Sequence, residues 1–237
     1  MSSTTIIICV ILAIIIILIE SWCHKAVKKQ LKIRDPVLFL FAHADDDAMF
    51  FIPTIEYLKQ NLIPFGMFLF SSNPIRKKEF ENAAKFHKCE NITICDPTKY
   101  PDGFEYHWDI MEMAKDVAEL IQKENIQTII TFDKKGVSGH PNHININAAL
   151  PMIHTFCPHV SIYTLKSKNI IRKYSHTIDC ICSFFEKDDE RTLFTVLDSN
   201  EYATSSMKLY PSQFVWFRHI YLAFSTYTKL NQLVEYY

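Results

Sequence analysis

Apolar residues occur along this chain in three patterns, and each predicts a different kind of element. The first is continuous: residues 2–19 carry no charge, and residues 6–19 are apolar throughout. At ~1.5 Å per residue this stretch rises roughly 27 Å as a helix, close to the thickness of an endoplasmic-reticulum bilayer. One N-terminal transmembrane helix is therefore predicted. No basic residue precedes it, and Ser21–Trp22–Cys23–His24 lacks the small residues of a cleavage site, so an uncleaved anchor is expected rather than a signal peptide.

The second pattern is the short apolar run stopped by polar residues. Val37–Leu38–Phe39–Leu40–Phe41–Ala42, the run after Pro64, and residues 91–96, 128–133 and 160–165 read as strands, the longest of them as strands buried on both faces. The third is helical spacing, which predicts helices over 49–61, 75–87, 108–124 and 143–156. In the third of these, Ile110, Met113, Val117, Leu120 and Ile121 share one face. Strands and helices alternate, so the expected fold is α/β: a Rossmann-like, mostly parallel sheet with helices on both faces.

The last third is less regular. Strands are predicted at 178–185 and 192–197, then a helix from about residue 201. Residues 212–230 are rich in aromatics and read as a helix. Such a helix either docks on a membrane or, more commonly, packs on the domain core.

Composition narrows the classes. Of 237 residues, about 200 remain after the anchor, enough for one domain with a substantial core. A net charge of −1 gives nucleic acid no electrostatic footing as a partner. The cysteines are scattered, with no Cys-x-x-Cys pair, which suits buried thiols in a reducing compartment. Lys25, Lys28, Lys29, Lys32 and Arg34 follow the apolar stretch, so the bulk of the protein is expected on the cytosolic side. On that topology the acceptor pattern Asn91–Ile92–Thr93 stays unglycosylated. The expected organisation is an anchor over 2–22, a basic linker over 23–36 and a catalytic domain over 37–237.

Candidate chemistry sits where two buried strands end. The first runs into His43–Ala44–Asp45–Asp46–Asp47; the second runs into Asp133 and then Gly136–Val137–Ser138–Gly139–His140–Pro141–Asn142–His143. Two imidazoles and a carboxylate with open positions would make a catalytic rather than a structural metal site. Arg76 falls near a predicted helix start, where a cation opposes the helix dipole, and an anion-binding role is one explanation. Asp45 and Asp47 also form the Asp-x-Asp of some phosphohydrolases, although Met49 stands where that pattern needs Thr or Val. A membrane-tethered binding module without turnover is the non-enzymatic alternative.

These residues resemble the LmbE-like deacetylases, and among them most closely the N-acetylglucosaminylphosphatidylinositol de-N-acetylase (PIG-L) branch. Its first motif appears as His43–Ala44–Asp45–Asp46–Asp47, with Ala44 for the family's proline and Asp47 for its glutamate. Its second appears as Thr131–Phe132–Asp133 followed by Gly136 to His143. Further matches are Arg76–Lys77–Lys78–Glu79, Leu165–Lys166–Ser167, Ile171–Arg172–Lys173–Tyr174 and the segment from Ser212 to Arg218. The resemblance implies the LmbE-like fold and a divalent metal on His43, Asp46 and His143, zinc before ferrous iron. It implies Asp45 as general base and His140 as the group that meets the oxyanion or protonates the amine. Arg76, Asn73 and Asp102 are expected at the substrate. The implied reaction removes acetate from N-acetylglucosaminylphosphatidylinositol in glycosylphosphatidylinositol (GPI) anchor synthesis, at the cytosolic face of the endoplasmic reticulum. Its partners would be the glycolipid and the membrane; a soluble N-acetylglucosaminide is the alternative substrate.

Overall fold

Strand β1 (Val37–Phe41) is buried along its whole length and lies inside a seven-stranded sheet. The computed structural model describes residues 2–27, 33–187 and 191–236. Val37 of β1 pairs in parallel with Phe65 of β2 (Phe65–Leu69) on one side and with Thr128 of β4 (Thr128–Phe132) on the other. β3 (Asn91–Ile94) and β5 (Ser161–Leu165) continue the parallel sheet outward, in the order β3-β2-β1-β4-β5. Phe39 and Phe41 are wholly buried, and each such ring contributes about 1.5–3 kcal/mol of transfer free energy. Because β1 and β4 are neighbours in space but not in sequence, the chain leaves them in opposite directions. A crevice opens between their carboxyl ends.

The helices between the strands follow the predicted spacing closely. A π-helical turn (Asp47–Phe51) leads into one helix (Ile52–Gln60), and three more cover Pro74–His87, Ile110–Glu124 and Pro141–Phe156. With the N-terminal helix (Ser3–Val27) as α1, the first three of these four are α2, α3 and α4, Gly136–Gly139 is the short turn α5, and Pro141–Phe156 is α6. Met113, Val117 and Ile121 of α4 are fully buried, as are Ile146 and Leu150 of α6, which α4 packs against. Asn73 caps α3 and Asp109 caps α4, each accepting hydrogen bonds from first-turn amides.

Two readings of the last third change. Residues 178–185, predicted as a strand, belong to helix α8 (His176–Glu186), which follows the short α7 (Ile170–Tyr174). Asp179, Cys180 and Ser183 are buried there while Ile178, Ile181 and Phe185 are exposed, a helical spacing that a short apolar run does not separate from a strand. Residues 212–230 are not one helix. After β6 (Thr192–Val196) and α9 (Glu201–Met207), α10 covers only Trp216–Phe224; a 3₁₀ turn (Thr226–Thr228) follows. The chain then forms β7 (Leu230–Tyr236), which inserts antiparallel between β5 and β6. Nor does α10 pack mainly on the core: Tyr221 and Leu222 are buried, but Trp216, Phe217, Ile220 and Phe224 face outward.

Helix α1 is long and apolar enough to cross a membrane, and most of it is exposed. It runs past the predicted end of the anchor, to Val27. Cys23 and Val27 at its end pack with Cys180, Phe194 and Leu230, and the Trp22 ring lies tilted against Phe184 with centroids 4.4 Å apart. Lys28, Lys29 and Lys32 of the predicted basic linker lie outside the described residues.

Candidate metal centre and catalytic residues

Past the end of β1 the chain folds back on itself. The Asp46 carboxylate (Oδ2) accepts the backbone N–H groups of Ala42 at 2.9 Å and His43 at 2.8 Å, which fixes it over the strand end. Asp47 enters the π-helical turn and is wholly buried. It accepts a hydrogen bond from the Tyr210 hydroxyl at 2.7 Å and pairs with His87 at 2.9 Å. A carboxylate one methylene shorter than glutamate thus still reaches two partners. That anchoring role leaves the Asp-x-Asp phosphohydrolase pattern without a second acid in the crevice.

The end of β4 is built with more strain. Gly136 (φ 59°) and Gly139 (φ 77°) adopt left-handed backbone, as does Val137 (φ 58°, ψ −44°). A β-branched residue held there stores roughly 1–3 kcal/mol, so neighbours must hold it. They do: the Asp133 carboxylate accepts from the Ser167 N–H at 2.8 Å and hydroxyl at 2.6 Å. The Ser167 oxygen in turn accepts the Val137 N–H at 2.9 Å. This loop aims His143. Its Nδ1–H donates to the Gly136 carbonyl at 2.9 Å, and its ring stacks on Phe132 at 3.9 Å.

A Cβ on Gly136 would lie 2.8 Å from the Cβ of His143. Gly136→Ala is therefore expected to push that ring aside and weaken metal affinity roughly 10–100-fold, the usual effect of losing a group that orients a ligand. Competition against a chelator of known affinity measures this; unchanged affinity would show that the loop does not place His143.

With Nδ1 committed to Gly136, His143 presents the lone pair of Nε2. That atom lies 3.2 Å from Asp46 Oδ1 and 3.2 Å from His43 Nδ1. His43, Asp46 and His143 are all buried, and their donor atoms lie within 4.8 Å of one another. A lone pair facing a carboxylate at this distance is repulsive unless a proton or a cation joins them. The set of two nitrogens and one oxygen fits a divalent cation with open positions. Burial alone would raise the Asp46 pKa, but the His143 and His43 rings in their protonated forms, with the His43 backbone amide, hold it below the ordinary carboxylate range. His43 Nε2 is buried without a hydrogen bond and lies 3.0 Å from Asp102 Oδ1.

Asp45 stands beside this cluster rather than in it. Arg218 of α10 reaches its Oδ2 at 2.6 Å. Burial pushes the Asp45 carboxyl up, and Arg218 offsets that only in part. His140 caps α6; its Nδ1 accepts the Asn142 N–H at 3.3 Å, leaving Nε2 to carry the proton. Burial, then the neighbouring His43 and His143, push its pKa down to about 4, so the imidazole is neutral at neutral pH. It is placed to donate through Nε2–H.

The expected substrate residues divide. Arg76 reaches Asp102 at 3.1 Å and Gln213 at 2.6 Å, and Asp102 faces His43, so Arg76 and Asp102 do converge on the site. The Asn73 side chain is taken up in capping α3. Sequence reasoning assigned no role to Arg218, Gln213, Asp133 or Ser167. The available signal was that all four fall within segments matching the family, Arg218 and Gln213 in the stretch from Ser212 to Arg218.

The fold and the site have counterparts among known proteins. A family model described as GlcNAc-PI de-N-acetylase matches residues 38–153. The chain is 33% identical over 213 residues to a probable N-acetylglucosaminyl-phosphatidylinositol de-N-acetylase of Schizosaccharomyces pombe, covering 84% of this chain and 86% of that one. It is 32% identical to the N-acetylglucosaminyl-phosphatidylinositol de-N-acetylase of Bos taurus, covering 83% and 81%. Among solved structures, the zinc-inhibited form of teicoplanin deacetylase Orf2 superposes with a TM-score of 0.59 at 10% identity, covering 84% of this chain and 97% of that one. That likeness shows a shared fold.

Proposed function

This chain belongs to the GlcNAc-PI de-N-acetylase family, and from that premise we propose that His43, Asp46 and His143 hold its metal, with Asp45 as base and His140 as oxyanion donor. The enzyme is a metal-dependent hydrolase that removes acetate from N-acetylglucosaminylphosphatidylinositol, leaving glucosaminylphosphatidylinositol, an early step of GPI-anchor synthesis. The observation that carries the residue assignment is the convergence of lone pairs from His143 and Asp46 beside a buried carboxylate, Asp45, that is not a ligand.

A divalent cation bound there supplies a water acidified toward a pKa of ~7 and polarisation of the amide carbonyl. Asp45 takes the proton from the attacking water as the new C–O bond forms. His140 donates Nε2–H to the oxygen as negative charge develops on it. Asp45 then delivers the proton to the amine nitrogen, the C–N bond breaks, and acetate departs. Arg76, steadied by Asp102 and Gln213, is the cation for the phosphodiester. Asn73 acts through the helix start that it caps.

Two imidazoles and one carboxylate suit zinc; the same set serves ferrous iron, and metal content after aerobic and anaerobic preparation separates the two. We read α1 as the single-pass anchor of a protein of the endoplasmic-reticulum membrane, with its catalytic domain over 37–237 in the cytosol. Lys25 and Arg34 on the flank of α1 support that orientation. Acetate release by the full chain from vesicle-borne glycolipid tests the substrate. Faster release from a water-soluble N-acetylglucosaminide would replace the lipid reading.

Arg218 gives a second test. Its removal takes a cation away from Asp45, so the carboxyl, already raised by burial, climbs further. A base protonated at higher pH loses activity earlier as pH falls. In Arg218→Ala the acid limb of kcat/KM is expected to move up by roughly 1–3 pH units. Arg218→Lys should restore most of the shift; an unmoved limb would remove Asp45 as the titrating base.

A further inference from the structure

The outward face of α10 is the reverse of an ordinary surface helix. Trp216, Phe217, Ile220 and Phe224 recur at helical spacing and are 74%, 50%, 50% and 59% exposed. A helix at a water boundary normally turns such a stripe inward. Beside it, α7 exposes Ile170 and Ile171, at 74% and 62%, and joins α10 through the rings of Tyr174 and Tyr221. Next in the chain, α8 exposes Phe185 at 79% and packs against α1 through Phe184 and Trp22. The Thr177 hydroxyl of α8 also bonds Glu20 of α1. Contacts thus lead from α10 through α7 and α8 to α1, the candidate span.

We propose that α10, with α7 and α8, lies in the headgroup region of the membrane that holds α1, as a second, interfacial attachment. The occupant is a phospholipid surface: the stripe is aromatic and aliphatic, Lys173 stands beside Tyr174 and Tyr221 at its edge, and contiguous contacts lead from it to the span. The consequence falls on the site. Arg218, on the inner side of the same helix, binds the catalytic base Asp45, so docking of α10 sets that base against the layer in which a glycolipid headgroup sits. This rests on the lipid-substrate reading above and adds the surface that meets the lipid.

The test uses the full chain carrying Trp22→Phe, reconstituted in phosphatidylcholine vesicles, so that only Trp216 and the buried Trp108 report. Trp216 emission is expected to be quenched by phosphatidylcholine brominated near the top of its acyl chains and protected from aqueous iodide. Trp216→Ser, and separately Phe224→Ser, should raise KM for vesicle-borne glycolipid roughly tenfold, equivalent to about 1.4 kcal/mol, and leave KM for a soluble N-acetylglucosaminide unchanged. Iodide quenching without bromine quenching overturns the proposal and gives the face to water or to a protein partner. Quenching requires no turnover, so a chain that docks without releasing acetate would sink the reaction and not the docking; an active chain with iodide-accessible Trp216 would do the opposite.

Discussion

Replacing Asp45 with asparagine is expected to slow acetate release roughly 10²–10⁴-fold while metal content stays at that of the parent protein. The two halves of that result come from different atoms. Metal retention follows from the proposed donor set of His43, Asp46 and His143, which leaves Asp45 out. The asparagine oxygen still accepts the Arg218 hydrogen bond that the carboxylate accepts at 2.6 Å, so the local fold keeps its partner. What disappears is the carboxylate proposed to take a proton from water. Burial has already raised the Asp45 pKa, which brings it closer to the proton-transfer range useful near neutrality. Parallel measurement of kcat and of metal by elemental analysis decides it. A variant within tenfold of the parent rate would remove Asp45 as the base, and one that loses its metal would move Asp45 into the ligand set.

Much of the site was legible because its parts are local. The apolar run of β1 and the acids after it lie within one short segment, as do β4, its glycines and the two histidines. A parallel sheet brings such strand ends to one edge, so residues 100 apart, His43 and His143, can meet at 3.2 Å. What sequence could not show was long-range or two-faced. Arg218 reaches Asp45 across 173 positions, and nothing at either end announces the pairing. Asp47 reads as another crevice acid until Tyr210 and His87 are seen to close over it. The run at 178–185 carries apolar residues without strict alternation, so period alone did not choose helix over strand. β7 was hidden for a related reason: Asn231 and Gln232 inside it are buried polar residues, spent on bonds to Phe50, Thr54 and the Lys168 ammonium. A strand that buries amides does not look like a core strand.

Stripping the metal is expected to abolish turnover, and the reason lies in how little the cluster can do alone. His143 Nε2 and Asp46 Oδ1, 3.2 Å apart, both offer lone pairs, and His43 stands at the same distance from the first. A proton can bridge that pair without a cation, but it then occupies the place where carbonyl and water must be activated. Chelated protein should fall to background and recover when the cation is returned. His143→Ala should begin at background and stay there when the cation is added, because it lacks one of the three proposed donors. Stability supplies a readout that needs no substrate. A cation at 100 times its dissociation constant adds about 2.7 kcal/mol to the folded state. For a domain of this size, that corresponds to a rise of roughly 5–10 °C in Tm. The parent should show the rise and His143→Ala should lose nearly all of it. Full activity after exhaustive chelation, or an undiminished rise in the variant, would mean that the ion sits elsewhere and that the crevice between β1 and β4 works without it.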